Sequence, residues 1–168
     1  MAASGRASAD ETSAAGLAGV ATLRPKKPPP NTLTWDLNID GGVGAAFESD
    51  THLTGFGRIR GGLLLIDESD IASPSFSALG LTYEASDLSP AAFGIQVERM
   101  SLSTGLWGQL GAMLDIQPRP GFMAAVGWSL FGAEAQVRWD KAPGEGAFFA
   151  IYGKLRIPVS IIAYAMRQ

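Results

Sequence analysis

The chain has no cysteine, a single histidine and only four lysines in 168 residues. Without cysteine there is no disulfide framework, no thiolate nucleophile and no Cys-ligated metal site. The lone histidine, His52, falls in a predicted turn and reads as a solvated loop residue rather than a general base. Charge is sparse as well: 17% of residues are charged, against about 25% in an average soluble domain. A net charge of −3, with no basic cluster beyond Arg24, Lys26 and Lys27, argues against a nucleic-acid-binding surface. No apolar run reaches the roughly 18 residues of a transmembrane helix, because polar residues interrupt each one.

Motifs that carry chemistry are missing too. There is no Gly-x-Ser-x-Gly and no Ser-His-Asp set. Gly55-Phe56-Gly57 lies inside a predicted strand with no helix after it, so it is not a phosphate loop. The acidic run Asp67-Glu68-Ser69-Asp70 lacks the spacing and turn glycine of a calcium loop and reads as a solvated turn. Asp36, Asn38 and Asp40 share one face, and pairing with Arg58 and Arg60 accounts for them more economically than hydrolytic chemistry. The expectation is a chain with no catalytic site, no cofactor and no metal.

What is present is alternation. Residues 1–31 are rich in Ala, Ser and Gly and close on Arg24-Pro25-Lys26-Lys27-Pro28-Pro29-Pro30, the composition of a disordered tail and stiff linker. Ala14–Leu23 has the length of a signal-peptide core but follows Asp10 and Glu11 instead of a basic leader, so disorder is the preferred reading there. From Thr32 onward the period is two. Leu33, Trp35, Leu37 and Ile39 face one way, and Thr34, Asp36, Asn38 and Asp40 the other.

The same pattern recurs at about 53–66, 76–85, 91–101, 106–117, 122–128 and 131–140, and in a long run from Ala147 to Met166 that Pro158 can divide. Pro118-Arg119-Pro120-Gly121 is a strong turn signal, and the apolar phase slips at Leu130 and Phe131, which implies a tight hairpin or a bulge. No segment has a helical period. About eight strands with short connections and nothing to cover either face predict an all-β, antiparallel, up-and-down barrel over residues 32–168.

Alternation alone does not say which face is outside. In a soluble lipocalin-like barrel the apolar face lines a ligand cavity; in an outer-membrane barrel it meets lipid. Two features favour the second arrangement. Lys154 is the only lysine within a strand, whereas the polar face otherwise carries a near balance of acids and bases: Asp36, Asp40, Arg58, Arg60, Glu84, Glu98, Asp115, Glu134, Arg138, Lys154 and Arg156. Such a mixture suits a confined lumen where charges neutralise one another. The apolar face carries Trp35, Tyr83, Trp128, Trp139, Phe149 and Tyr164 near strand ends, where they could form interfacial girdles or simply be barrel-core aromatics.

In pattern and length, residues 32–168 resemble the small eight-stranded outer-membrane barrels of Gram-negative bacteria. The resemblance implies a non-enzymatic envelope protein in contact with a lipid bilayer, with a structural, anchoring or narrow-channel role. The alternatives are a soluble barrel holding an apolar ligand and a β-rich subunit of a larger assembly.

Overall fold

The structure, a computed structural model, describes residues 31–166 except 49, 70, 71, 118 and 140–145. The predicted tail therefore lies outside the described residues but for Asn31. Eight strands follow in chain order: β1 (Thr32–Phe47), β2 (Thr51–Asp67), β3 (Ser75–Ser86), β4 (Ser89–Ser101), β5 (Leu106–Asp115), β6 (Pro120–Trp128), β7 (Phe131–Trp139) and β8 (Ala147–Pro158). Each pairs antiparallel with the next, and β8 returns to β1, so the sheet closes into a barrel.

The register defines the barrel's shape. A row of cross-strand partners runs from Leu37 through Gly61, Leu81, Ile95, Ala112, Phe122, Val137 and Phe149, and reaches β1 again at Phe47. From Leu37 to Phe47 is a stagger of ten residues, which inclines the strands by roughly 40° and leaves an interior just wide enough for side chains to fill. Every position in this row points outward and is apolar or glycine. A shift of one residue in any pairing would turn that strand's charges to the outside, so the two-faced pattern and the register enforce each other.

Turn chemistry is local. The phase slip at Leu130 resolves as a two-residue hairpin: Trp128 pairs directly with Phe131, and Ser129 takes the left-handed backbone (φ 53°) that reverses the chain. The predicted turn at 118–121 is shorter than expected, since Pro120 and Gly121 already belong to β6, while β5 stops at Asp115 rather than Gln117. His52 is the second residue of β2, exposed at the barrel's end, and not a turn residue.

Two glycines decide the packing of one interior side chain. Gly127 and Gly132 pair across β6 and β7, and the Trp107 indole of β5 lies over both. A methyl group built on them would come within 2.3 and 2.6 Å of the ring, respectively. Gly132→Ala is expected to lower stability by about 1–3 kcal/mol through overpacking. Gly61→Ala, whose new methyl meets nothing within 4 Å, is expected to change it by less than about 0.5 kcal/mol. Urea titration followed by tryptophan emission checks the pair.

The alternating run to Met166 does divide at Pro158, but the part beyond the proline is not a strand. β8 ends at Pro158, and Val159–Ala165 forms a short helix, α1. Proline has no N–H for the ladder, so pairing with β1 stops at Asn38↔Pro158 and the first six residues of β1 have no β8 neighbour. The Ser160 hydroxyl takes the place of the missing strand at Leu37, accepting from its N–H and donating to its carbonyl oxygen. Ile161 and Tyr164, one helical turn apart, fold under the barrel onto Leu64, Ile66, Phe76 and Ala78. Tyr164 is therefore not an outward aromatic: it packs against the interior cluster, and its hydroxyl donates to Glu68.

Candidate functional site

Among the described residues, the inward side chains form three ionic groups, and in the two larger ones cations and carboxylates are equal in number. The largest joins Asp40, Glu84 and Glu134 to Arg58, Arg138 and Lys154. Within it, Lys154 Nζ lies 2.9 Å from Glu134 and 2.8 Å from Asp40, and Arg58 Nη1 donates to Glu134 at 2.9 Å. Glu84 accepts from Arg58 Nε at 3.0 Å and also receives Arg138. The second group pairs Asp36 and Glu98 with Arg60 and Arg156: Arg60 reaches Asp36 at 2.6 Å and Glu98 at 2.7 Å, and Arg156 meets Glu98. The third is Asp115 with Arg119, 2.7 Å apart at the upper end, the end opposite α1.

Neutral amides connect these groups, while Arg60 Nη2, Arg138 Nε and Nη1, Arg156 Nε and both amide atoms of Gln96 are buried without a hydrogen-bond partner among the described residues. Gln109 accepts from Lys154 and donates to Glu98 at 2.7 Å, linking the two larger networks. Gln136 donates to Glu84 at 3.1 Å and to Glu134 at 2.8 Å, and Asn38 donates to Asp40 at 2.8 Å. Guanidinium faces rest on aromatics: Arg58 on Phe56, Arg138 on Phe148, and Arg156 between Phe76 and Trp107.

The position of these charges matters as much as their pairing. Arg58, Arg60, Glu134, Arg138 and Arg156 are almost wholly buried, as are Asp36, Asp40, Glu98 and Lys154. Glu98 on β4 meets Arg156 on β8, four strands away around the closed ring, so the network spans the full width of the interior. Apolar clusters bracket it. Phe56, Tyr152, Ala46 and Ala150 pack above, and the α1-covered cluster of Leu64, Ile66, Phe76 and Ala78 lies below. An isolated buried charge costs several kcal/mol, whereas pairing within locally neutral groups brings that cost down.

The nine residues predicted to form a lumen charge network are thus brought together inside the barrel. Glu84 and Asp115, on the same predicted face, join them. Arg119 and the amides Gln109 and Gln136 also take part; Arg119 was hidden by its place in a turn signal, and the glutamines by having no charge to balance. Trp107 is a further inward residue, legible in its phase with Gln109 and Met113.

The outward face is the converse. Leu53, Leu81 and Val126 are among many large hydrophobics facing out, with exposures of 83%, 72% and 68%. Among the described strand residues, Arg99 is the single charged side chain on this face short of the strand ends. Trp35 and Trp128 lie toward the lower end, and Trp128 Nε1 donates to the Thr104 carbonyl at 2.8 Å. Trp139 sits at the upper end, edge-on to Phe122 at 5.7 Å, and Tyr83 packs on Phe93 at 5.3 Å in the upper half of β3.

Among the described residues no three His, Cys, Asp or Glu side chains are grouped to hold a metal. Asp67 of the acidic run accepts from Ser69 at 3.0 Å, while Asp70 lies outside the described residues. Fold and interior together define a closed eight-stranded antiparallel β-barrel filled by charge-balanced side chains. No protein-family model, curated protein or solved structure matches this chain.

Proposed function

We propose that the chain is a non-enzymatic β-barrel of the outer-membrane kind, which crosses a lipid bilayer as a solid cylinder in a bacterial envelope and acts as a structural or anchoring element. The observation that carries this reading is the inversion of the usual surface: hydrophobics outside, ion pairs inside. A large contiguous exposed apolar surface marks contact with lipid or protein. Its extent suits a bilayer, since the outward apolar positions of β2 run from Leu53 to Leu65 and, at about 3.3 Å per residue and a tilt of roughly 40°, span roughly 30 Å.

Closure supports the same reading, because a barrel leaves almost no unpaired backbone facing hydrocarbon, and the uncovered start of β1 lies at one end. An apolar ligand inside the barrel would need an apolar lining, where this interior offers ion pairs. The side chains that cross the lumen favour an anchoring role over conduction.

Refolding from urea tests the proposal. The protein is expected to recover β-sheet circular dichroism and monodispersity in detergent micelles or phosphatidylcholine vesicles and to aggregate in plain buffer. A folded monomer in plain buffer would overturn the membrane reading, and a defined oligomer there would replace it with a subunit of a β-rich assembly. Stepwise conductance across a planar bilayer would overturn the solid-cylinder part alone.

A further inference from the structure

Arg99 breaks the pattern of the outward wall, and its neighbours in the sheet give the break a shape. One row of cross-strand partners reads Leu33, Leu65, Ser77, Arg99, Gly108 and Val126. The arginine is thus flanked by two of the smallest side chains available, which leaves a notch on both sides of its stem. The next row up the wall, offset by two residues, carries Leu63, Leu79, Val97, Leu110 and Ala124. Together these side chains line an open groove of about 680 Å³ on the barrel's outer surface, apolar along its length and cationic at one end.

The charge at that end has no hydrogen-bonded partner among the described residues. Glu98, adjacent in sequence, points inward and is held by Arg60, Gln109 and Arg156. Asp67 interacts electrostatically with Arg99; of its carboxylate oxygens only Oδ1 is engaged, by the N–H and hydroxyl of Ser69, so the guanidinium has one acidic neighbour with which a phosphate would compete. Arg99 lies two residues before the end of β4 at the lower rim, the level at which an outward charge is tolerated beside a bilayer and a long side chain can reach the head groups. A guanidinium there presents a planar donor fork suited to a phosphodiester.

Resting on the membrane reading above, we infer that this groove is a binding site for one phospholipid of the leaflet at the α1 end, with its phosphate on Arg99 and an acyl chain lying over Ser77, Gly108 and the Leu79–Val97–Leu110 row. A second outer groove adjoins the first, sharing Val97, Leu110 and Ala124 with it; its far part, lined by Ala112, Phe122 and Val137, is as apolar but holds no charge, and Ala112, which lines only this second groove, serves as an internal control.

Native mass spectrometry of the detergent-solubilised full chain tests the site, with dioleoyl phosphatidylglycerol as the probe. One lipid is expected to remain bound, and Arg99→Gln is expected to weaken its retention about tenfold or more. Gly108→Leu, which has nothing nearer than 3.9 Å to its new Cβ, fills the notch without disturbing the barrel and is expected to do the same. Ala112→Leu, in the charge-free groove, is expected to leave retention unchanged. Excess dioleoylglycerol, which has the chains without the phosphate, and sodium phosphate, which has the phosphate without the chains, are each expected not to displace the lipid.

Equal retention by Arg99→Gln would overturn the site, as would displacement by dioleoylglycerol. Displacement by free phosphate would reduce it to an anion contact and overturn the lipid assignment. Because these measurements begin from protein folded in micelles, their failure leaves the membrane reading standing, whereas a chain that folds in plain buffer removes that reading first.

Discussion

Glu134→Ala is expected to lower the unfolding free energy by about 3–5 kcal/mol, the largest loss from any single truncation in the interior. The carboxylate takes Arg58 and Lys154 at 2.9 Å and a Gln136 amide at 2.8 Å. Its removal leaves three cations facing two acids in a closed space, and neither Arg58 nor Lys154 can turn to water. The decisive comparison is the double variant Glu134→Ala with Lys154→Met, which restores equal numbers of cations and carboxylates. It is expected to cost clearly less than the sum of the two single changes, with a coupling of about 1–3 kcal/mol. Urea titration in phospholipid vesicles, followed by tryptophan emission, measures all three proteins. Strict additivity would mean that balance within the group is irrelevant and that each charge is stabilised separately.

The second large effect is expected on the opposite face and depends on the solvent there. Leu81 lies near the middle of β3 and Leu53 near the upper end of β2, and both point outward. In a bilayer, Leu81→Arg is expected to cost about 2–4 kcal/mol and Leu53→Arg about 0–1, because an outward cation is penalised most at the midplane. Were the outer face solvated by water, both substitutions would fall within about 0.5 kcal/mol of the parent protein. The difference between the two variants, measured in the same vesicles, therefore reports the environment of the wall independently of the barrel's own stability. Equal costs at the two depths would count against a membrane-spanning wall.

Much of this architecture is legible from residue order because a strand's side chains alternate with a period of two. Leu33 to Ile39 against Thr34 to Asp40 specifies a two-faced strand, and repeating that pattern without any covering helix leaves closure as the economical way to protect the edges. The polar face likewise announces its charges, since Arg58 and Arg60 share a phase with their partners and β2 follows β1 through a short turn. The same alternation hides the helix beyond Pro158. Val159 and Ile161 continue the alternation past Pro158, but the proline removes the ladder donor, and the residues beyond it gain more by covering the barrel mouth than by pairing. Tyr164 went with them, from an expected outer position to the cluster under the barrel.

Residue order by itself determined that this chain forms short two-faced strands, that one face is apolar, and that the other carries acids and bases in near equal number. It did not determine which carboxylate meets which cation, because Arg58 with Glu134 and Arg156 with Glu98 join strands distant in sequence and meet only once the sheet closes. Nor did it determine the direction of the faces: a strand reads the same from either side. Only the tertiary structure decided that, by closing eight strands with a ten-residue stagger so that the paired ionic side chains lie inside and the large apolar ones face out.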